Sequence, residues 1–370
     1  ASITTTDMSK EAKMNLHSHR KDEHVMIAEK LYRQKSTNGL ERIRLIPANL
    51  PEISLDEISL STTLAGKKLE APFFINAITG GSQTTDALNE SLARVANKTG
   101  IAMAVGSQSV AVKNAAYAKG FEKLRRLNPN GIMLANLGAN HPLENAERAC
   151  SMIDADIIEI HLNAAQELVM PEGDAEFYWL ENLKRLNEKL QVPLLVKEVG
   201  TGMTPQTLKL LAENGFSYVD LAGAGGTNFA AIENERRKNK ETLAFMQELG
   251  LTTAESLLGA QKHRNELGRL KLTASGGIRD AQDIVKCLAL GAENVGISGM
   301  FLHVLLKDGE DGLAAKIEDL KTGIRTLMAL LGCRKISELK DVKKTFQKNK
   351  KTFTAVDGVS FSIEKGECIG

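Results

Sequence analysis

Short apolar runs alternate with amphipathic segments along most of this chain. The runs are rich in β-branched and bulky apolar residues, and they span residues 72–77, 101–106, 131–138, 156–163, 193–200, 218–226, 270–277 and 294–299. Between them apolar residues recur at helical spacing, as in 87–100, 206–215 and 281–291, and each of these segments ends in a glycine that can close a helix. The pattern predicts eight strands, with a helix after each.

Strand, helix and glycine repeated in this way are typical of a (β/α)8 TIM barrel. The main alternative is an open, doubly wound sheet. Such a sheet would be expected to carry the dinucleotide fingerprint GxGxxG after its first strand, and the sequence has none there. We therefore predict a single α/β barrel.

Length, charge and cysteine content limit the class of protein and its cellular location. The 370 residues fit one large barrel, and 47 Lys and Arg against 46 Asp and Glu give a net charge of +1, so no global field would attract nucleic acid or an anionic membrane. The four cysteines are widely spaced without a CxxC pair, which fits a reducing compartment. No apolar stretch has the length of a membrane span or the character of a signal peptide. We expect a cytoplasmic protein.

The ends of the predicted strands are where such barrels carry their chemistry. Glycines in "SGGIR" (275–279) and "GISG" (296–299) leave backbone N–H groups free to face an anion, so they predict a phosphate cradle with Arg279 as a charge partner. Polarity at any single strand end can also reflect solvation alone, because loops are polar anyway.

Lys197 stands inside an apolar strand, where an ammonium must face an anion or an electron-rich ring. It can instead pair internally with Asp220 or Glu159. Together with the cradle, Lys197 favours flavin mononucleotide (FMN), with the phosphate near Gly277 and Ser298. The flavin ring is expected over Ala77, Ile78 and Thr79, with Ser107 and Asn136 at its edge and Lys197 near its electron-accepting end.

Seven ordered motifs carry a family resemblance. They are HRKDEH (19–24), INAITGGS (75–82), VGSQS (105–109), EIHLNAAQELVMPEG (159–173), LLVKEVG (194–200), DLAGAGGTNFAAIEN (220–234) and SGGIRD (275–280). Over residues 15–342 the chain resembles type 2 isopentenyl-diphosphate isomerase, a flavin-dependent enzyme of isoprenoid biosynthesis.

The resemblance implies site residues in three groups. FMN would be bound by Ala77, Ile78, Thr79, Ser107, Asn136, Lys197, Thr227, Gly276, Gly277, Arg279, Ser298 and Gly299. The substrate diphosphate would be bound by Arg20 and Lys21, on a mobile segment that closes over the site, and the substrate would also meet Ser107, His161, Asn163 and Gln166. His161 and Asn163 alternate at the end of the fourth strand and should face the same way. Gln166 and Glu167 are expected on the following loop, with Glu167 binding Mg²⁺.

The implied reaction interconverts isopentenyl and dimethylallyl diphosphate by a 1,3 proton shift. Side-chain acids are poorly matched to protonating an unactivated alkene, and in the family N5 of reduced FMN is the favoured acid/base. His161 and Gln166 are the side-chain candidates beside it. The resemblance also implies NADPH as reductant, Mg²⁺ on the diphosphate, and a homo-oligomer, either a tetramer or an octamer.

The sequence departs from the family pattern at one place, and it lacks the catalytic residues that three rival families need at their required positions. The family often has an Arg after the second strand, where this chain has Ser109 and Val110, so more of the diphosphate binding should fall to Arg20 and Lys21. The α-hydroxy-acid oxidases need a His after the seventh strand, and inosinate dehydrogenases need a Cys after the sixth; neither is present there. The unrelated type 1 isomerase needs a catalytic Cys, but the cysteines at 150, 287 and 333 fall in or beside predicted helices.

Both termini differ from the rest of the chain. Residues 343–370 resemble the first strands of an ABC-transporter ATPase, but they stop before any GxxxxGK[ST], so no ATP binding is predicted. Residues 1–14 are expected to be an extension. The tail raises a second functional hypothesis, in which a transporter-associated barrel only binds a phosphorylated ligand.

Overall fold

The computed structural model describes the backbone of residues 10–341, 344–348, 351–356 and 360–361, and the side chains of residues 20–340. Helix α1 (Lys10–Leu31) comes first and is followed by β1 (Ile43–Arg44). An antiparallel hairpin of β2 (Thr62–Leu64) and β3 (Lys67–Leu69) leads into the main sheet.

The main sheet is a closed barrel of eight parallel strands. In chain order they are β4 (Phe73–Ile75), β5 (Met103–Ala104), β6 (Met133–Gly138), β7 (Ile157–Leu162), β8 (Leu194–Glu198), β9 (Tyr218–Asp220), β10 (Lys271–Ser275) and β11 (Asn294–Ile297). Each strand lies within one of the eight predicted apolar runs, and β11 pairs with β4 to close the ring. The prediction of a (β/α)8 barrel is confirmed.

Helices surround the barrel and cover its mouth. They are α2 (Gln83–Thr99), α3 (Ser109–Lys113), α4 (Ala118–Leu127), α5 (Leu143–Ile153), α6 (Ala164–Val169), α7 (Leu180–Lys189), α8 (Pro205–Glu213), α9 (Phe229–Arg236), α10 (Thr253–Lys262), α11 (Ala281–Ala289) and α12 (Gly299–Leu330), which is kinked at Gly309. The predicted helix-closing glycines Gly100, Gly215 and Gly291 have φ of +71°, +81° and +103°, as expected for that role.

Alternation along the strands divides the barrel interior into two layers. Toward the N-terminal ends of the strands, Phe74, Leu134, Ile157 and Leu195 form an apolar cluster that the β2–β3 hairpin closes from below. Their outward neighbours, such as Phe73 and Ile158, pack in the larger core between strands and helices. The lower barrel is therefore solid and contributes stability rather than a site.

The upper layer of the interior is polar. Asn136, Glu159, Lys197, Asp220 and Ser275 are all buried there, on five different strands. The strand register pairs Asn136 with Glu159 and Lys197 with Asp220. Because burial of unpaired polar groups is costly, this layer marks the functional end of the barrel.

Helix α1 lies across the barrel mouth, where it contacts α2, α9 and α12. The HRKDEH motif lies inside this helix. The motif is therefore helical, and the side chains of residues 20–24 are partly or fully buried. Gln166 and Glu167, expected on a loop, instead belong to the short helix α6.

The C-terminal segment is described only in part. Strands β12 (Lys344–Lys348) and β13 (Lys351–Val356) form an antiparallel hairpin, and β14 (Ser360–Phe361) pairs with β1. The expectations for residues 1–14 and for the rest of 343–370 fall mostly outside the described residues. Within the described part of the chain, no helix has the length and apolar character that crossing a membrane requires.

Candidate active site

A cavity of about 700 Å³ opens at the C-terminal ends of the barrel strands. Helix α1 and the loops after the strands line it. It brings together every residue predicted for the site: Arg20, Lys21, Ala77, Ile78, Thr79, Ser107, Asn136, His161, Asn163, Gln166, Glu167, Lys197, Thr227, Gly276, Gly277, Arg279, Ser298 and Gly299. Their individual roles remain predictions.

The loops after β9 and β10 pack so closely that only glycine fits. A Cβ on Gly276 would lie 2.0 Å from Gly223 O, and one on Gly277 would lie 2.6 Å from Gly225 O. Both glycines have positive φ, +105° and +73°. Beside them α12 begins at Gly299, and a helix N-terminus favours an anion through its free N–H groups. This corner therefore fits a phosphate.

Arg279 lines the cavity next to this corner, but its guanidinium is partly committed elsewhere. Its Nε donates to Arg33 O at 3.0 Å, and its guanidinium carbon lies 4.8 Å from the centre of the Tyr32 ring. Tyr32 stacks in turn on His303 of α12. Arg279 thus ties the end of α1 to the predicted phosphate cradle.

Lys197 pairs internally, as one interpretation of the sequence predicts, and it also lines the cavity, as the other requires. Its Nζ donates to Glu198 O at 2.9 Å and lies 3.8 Å from Asp220 Oδ2, while the side chain also lines the cavity. Asp220 accepts hydrogen bonds from Asn76 Nδ2 at 2.7 Å and Ser275 Oγ at 2.6 Å. The internal pair with Asp220 therefore stabilises the ammonium at the barrel mouth.

Thr79, which is also predicted to contact the flavin ring, has a hydroxyl without a hydrogen-bond partner among the described residues. It is buried, and within residues 20–340 no group hydrogen-bonds to its Oγ1. A buried hydroxyl without a partner costs free energy, so a ligand edge that supplied one would be favoured. Together with the glycine corner and Lys197, this hydroxyl makes the cavity fit FMN.

His161 sits at the top of β7, above the buried Glu159. Its Nδ1 lies 2.9 Å from Asn136 Oδ1, and Asn136 Nδ2 donates to Glu159 Oε2 at 2.9 Å. Burial, reinforced by the charges of Lys197 and Lys21, lowers the pKa of His161 to about 3. The imidazole is therefore neutral at physiological pH.

Polar contacts that involve carboxylates hold helix α1 over the cavity. Arg20 Nη1 lies 3.3 Å from Glu172 Oε1, and Ser82 Oγ donates to Asp22 Oδ1 at 2.5 Å. His24 Nε2 lies 2.8 Å from Glu233 Oε1, in a contact where both side chains are nearly or fully buried. These contacts place Arg20 and the neighbouring Lys21 at the cavity rather than in solvent.

Glu233 of α9 is the residue that sequence reasoning missed most clearly. It is fully buried, and in addition to its contact with His24 it accepts hydrogen bonds from Gln166 Nε2 at 3.0 Å and Arg236 Nη1 at 2.5 Å. Burial alone would raise its pKa, but these partners outweigh burial and hold the pKa at about 2. His24 and Glu233 both stand in the family motifs, but nothing in the local pattern pairs them.

Two further clusters adjoin the cavity. Glu167 accepts from Asn163 Nδ2 at 2.8 Å and from the backbone N–H of Asp174 at 2.9 Å. After the neighbouring strands β5 and β6, the Ser107 and Ser109 hydroxyls lie 2.9 Å apart, and Ser109 Oγ lies 2.9 Å from His141 Nε2. Among the described residues, no group of three or more His, Cys, Asp or Glu side chains could hold a metal ion.

The class of protein follows from comparison with known families. The model of the family "FMN-dependent dehydrogenase" matches residues 26–131 and 139–345. Among solved structures, a double mutant of flavocytochrome b2 with pyruvate bound has a TM-score of 0.65 at 19% identity, and the match covers 90% of this chain and 85% of that one. A mandelate oxidase mutant with an FMN adduct has a TM-score of 0.57 at 16% identity, covering 87% and 93%. The family match establishes the FMN-dependent class, and the solved structures show the same barrel fold.

Closer relatives give the particular family. A protein of Latilactobacillus sakei named isopentenyl-diphosphate delta-isomerase is 45% identical over 327 residues, covering 88% of this chain and 93% of the relative. The Lactococcus lactis protein of the same name is 44% identical, covering 91% and 97%. That of Listeria monocytogenes is 43% identical, covering 88% and 90%. The chain belongs to the isopentenyl-diphosphate delta-isomerase family within the FMN-dependent class.

Proposed function

We propose that this chain interconverts isopentenyl diphosphate and dimethylallyl diphosphate. The observation that carries the proposal is that α1 places Arg20 and Lys21 on the same cavity as the glycine corner that fits FMN. An Arg fork and a Lys point charge suit a diphosphate. The isomerase name of relatives at 43–45% identity supports the same reaction.

The proposed cofactor is reduced FMN, with NADPH as its reductant. Gly276, Gly277, Ser298 and Gly299 would hold the phosphate, and Arg279 would flank it. Lys197 and Asn136 would contact the ring, which would also lie against Ala77, Ile78, Thr79, Ser107 and Thr227. Reduced FMN would supply an electron-rich ring and an acid/base nitrogen, N5, for the proton shift.

The chain's own residues would bind and orient the substrate. Arg20 and Lys21 would neutralise the diphosphate, and Asn163 and Ser107 would donate hydrogen bonds to it. Closure of α1 would exclude water from the reacting carbons. His161 is neutral, so it adds no positive charge, and Gln166 is oriented by its hydrogen bond to Glu233. His161 and Gln166 stay the side-chain candidates for contact with the reacting atoms.

Glu167 is the proposed Mg²⁺ ligand. A single carboxylate suits Mg²⁺, which keeps several waters and takes its other ligands from phosphate oxygens. The hydrogen bonds from Asn163 and Asp174 would orient that carboxylate. Both contacts support the proposal, because ligands of this kind are held by further hydrogen bonds.

Replacing Glu167 with Gln should raise the Mg²⁺ concentration needed for half-maximal activity. The amide oxygen carries no charge, so the shift should be roughly tenfold or more. The measurement is a Mg²⁺ titration of the initial rate. Glu176→Gln removes the same charge from an exposed nearby position and should leave the titration unchanged. Equal behaviour of the two variants would remove Glu167 from the metal site.

The activity should also depend on the protonation of Lys21. Burial and the neighbouring Arg20 lower the pKa of Lys21 to about 8, against the opposing charge of Glu233. Below pH 8 the ammonium is present and binds the diphosphate, and above it the charge is lost. We expect kcat/KM for isopentenyl diphosphate to fall by roughly tenfold per pH unit above that value.

Lys21→Arg is the control for this pH dependence, because a guanidinium stays charged throughout. The variant should lose the alkaline fall in kcat/KM, whatever its absolute rate. An identical pH profile in the variant would assign the fall to another group.

Anaerobic incubation with isopentenyl diphosphate tests the proposed function directly. Purified chain, FMN, Mg²⁺ and NADPH should yield dimethylallyl diphosphate, detected by proton NMR, and omission of the reductant should abolish the product. A chain that takes up FMN and is reduced, yet makes no product, would refute the isomerase proposal. A colourless chain that binds a phosphorylated ligand without turnover would instead support the transporter-associated hypothesis.

The organisation of the protein is part of the proposal. We propose that residues 15–342 form the catalytic barrel, in agreement with a family match that ends at residue 345. Residues 1–14 and 343–370 would be additions to it, the latter related to an ABC-transporter ATPase. The enzyme would act in the cytoplasm as a homo-oligomer, a tetramer or an octamer, and size-exclusion chromatography with light scattering would measure that state.

A further inference from the structure

A chain of hydrogen bonds leads from the barrel interior to the cavity. It starts at Glu159, which is fully buried, and passes through the Asn136 amide to the imidazole of His161, which lines the cavity. Both contacts are 2.9 Å long. Asn136 stands on β6, and Glu159 and His161 stand on the neighbouring strand β7. The register of these two strands therefore fixes the order of the three side chains.

The charge at the buried end determines the orientation of the amide. When Glu159 is ionised, its carboxylate can only accept hydrogen bonds, so Asn136 turns its NH₂ group toward Glu159, in agreement with the 2.9 Å contact from Asn136 Nδ2. The Asn136 carbonyl oxygen then faces His161, and it can only accept. A hydrogen bond across that contact requires the proton of the imidazole to be on Nδ1.

The other ring nitrogen of His161 is then left with a lone pair. Among the described residues, no side chain or backbone group hydrogen-bonds to Nε2. Gly138 lies beside this nitrogen, since a Cβ added to the glycine would be only 3.3 Å away. Because the imidazole is neutral, Nε2 can accept a hydrogen bond but cannot donate one.

We propose that Glu159 is a positioning residue that, through Asn136, fixes His161 as the neutral Nδ1–H tautomer and so gives the cavity a hydrogen-bond acceptor in place of a cation. The inference rests on the proposed function only for the nature of the ligand, a diphosphate. An imidazolium at this position would repel the Lys21 ammonium, whereas an acceptor tolerates it. The cationic contacts with the diphosphate are thereby left to Arg20 and Lys21.

The test is the tautomer itself, measured by nitrogen NMR on the purified full-length chain labelled with ¹⁵N-histidine. The His161 signals are identified by their absence in His161→Gln. Burial raises the pKa of Glu159 to about 7. The positive charge of Lys197 opposes this rise, and the negative charge of Asp220 adds to it. The sample is therefore kept in alkaline buffer, in which Glu159 is ionised. The expected spectrum has a protonated Nδ1 and an unprotonated Nε2. A protonated Nε2 would overturn the proposal without any variant.

Glu159→Gln tests the role of the carboxylate with a side chain of the same shape. A glutamine can donate or accept, so it no longer imposes one orientation on Asn136, and the Nε2–H tautomer should become populated. Asp220→Asn is the matched control, because it removes a buried charge from the same layer, and Asp220 contacts Asn76, Ser275 and Lys197 rather than Asn136. The control should keep the Nδ1–H tautomer. An unchanged spectrum in Glu159→Gln would overturn the proposal.

These measurements involve neither substrate nor turnover. A chain that shows the expected tautomer but makes no dimethylallyl diphosphate would refute the isomerase proposal and leave the role of Glu159 intact. An active isomerase with a protonated Nε2 would do the reverse.

Discussion

Replacing Gly276 with alanine is expected to remove FMN binding and to lower the free energy of unfolding by more than about 3 kcal/mol. The backbone there has φ of +105°, which an alanine adopts only under strain, and its Cβ would lie 2.0 Å from Gly223 O. The opposing atom is backbone and cannot rotate away. The loops after β9 and β10 must therefore separate, and the predicted phosphate corner is lost with them. Flavin absorbance after desalting and thermal denaturation measure the two effects.

Gly291→Ala separates strain from overlap. Gly291 has nearly the same φ, +103°, but a Cβ there would meet nothing within 4 Å. We expect a loss of only the strain energy, roughly 1–3 kcal/mol, and normal flavin content. Similar flavin content in both variants would show that the corner around Gly276 does not hold the phosphate.

Replacing Glu233 with glutamine is expected to have the second large effect. The change removes a fully buried charge that links His24 of α1, Gln166 of α6 and Arg236. Disruption of a buried ion pair costs roughly 3–5 kcal/mol. Because α1 carries Arg20 and Lys21, we also expect KM for isopentenyl diphosphate to rise by roughly tenfold or more, since 1.4 kcal/mol is already a factor of ten in binding. Chemical denaturation and steady-state kinetics measure the two results.

Glu235→Gln, two residues further along α9, is the matched control. Glu235 also pairs with α1, through Lys30 at 3.4 Å, and with Lys240 at 3.0 Å, but both lysines are largely exposed. Exposed pairs contribute about 0–1 kcal/mol, so stability and KM should change little. If the two variants lose the same stability, burial of Glu233 is not what holds α1 in place.

The eight strands were readable from the sequence because their signal is local. Every barrel strand is buried on both faces, so each appears as a short apolar run regardless of what lies elsewhere in the chain. The glycines at 100, 215 and 291 could be assigned to helix ends for the same reason. The family motifs then placed the site residues at the strand ends, and the cavity collects all of them.

Local patterns did not reveal how the mouth of the barrel is built. The charge pattern of HRKDEH does not by itself place Arg20, Lys21 and His24 at the cavity. They lie there because Glu172 and Glu233, far away in sequence, contact Arg20 and His24. Helix α6 was read as loop because a six-residue segment rich in polar side chains has almost no helical periodicity.

The sequence by itself therefore determined the barrel, its eight strands and which strand ends carry polar chemistry. Each of these depends on the spacing of apolar and glycine residues within a few positions. Only the tertiary structure decided how buried charges are balanced: that Lys197 lies by Asp220, that Glu233 fastens α1, and that Glu159 reaches His161 through Asn136. Electrostatic and hydrogen-bond energies depend on distance and burial in three dimensions, and neither quantity is encoded in neighbouring residues.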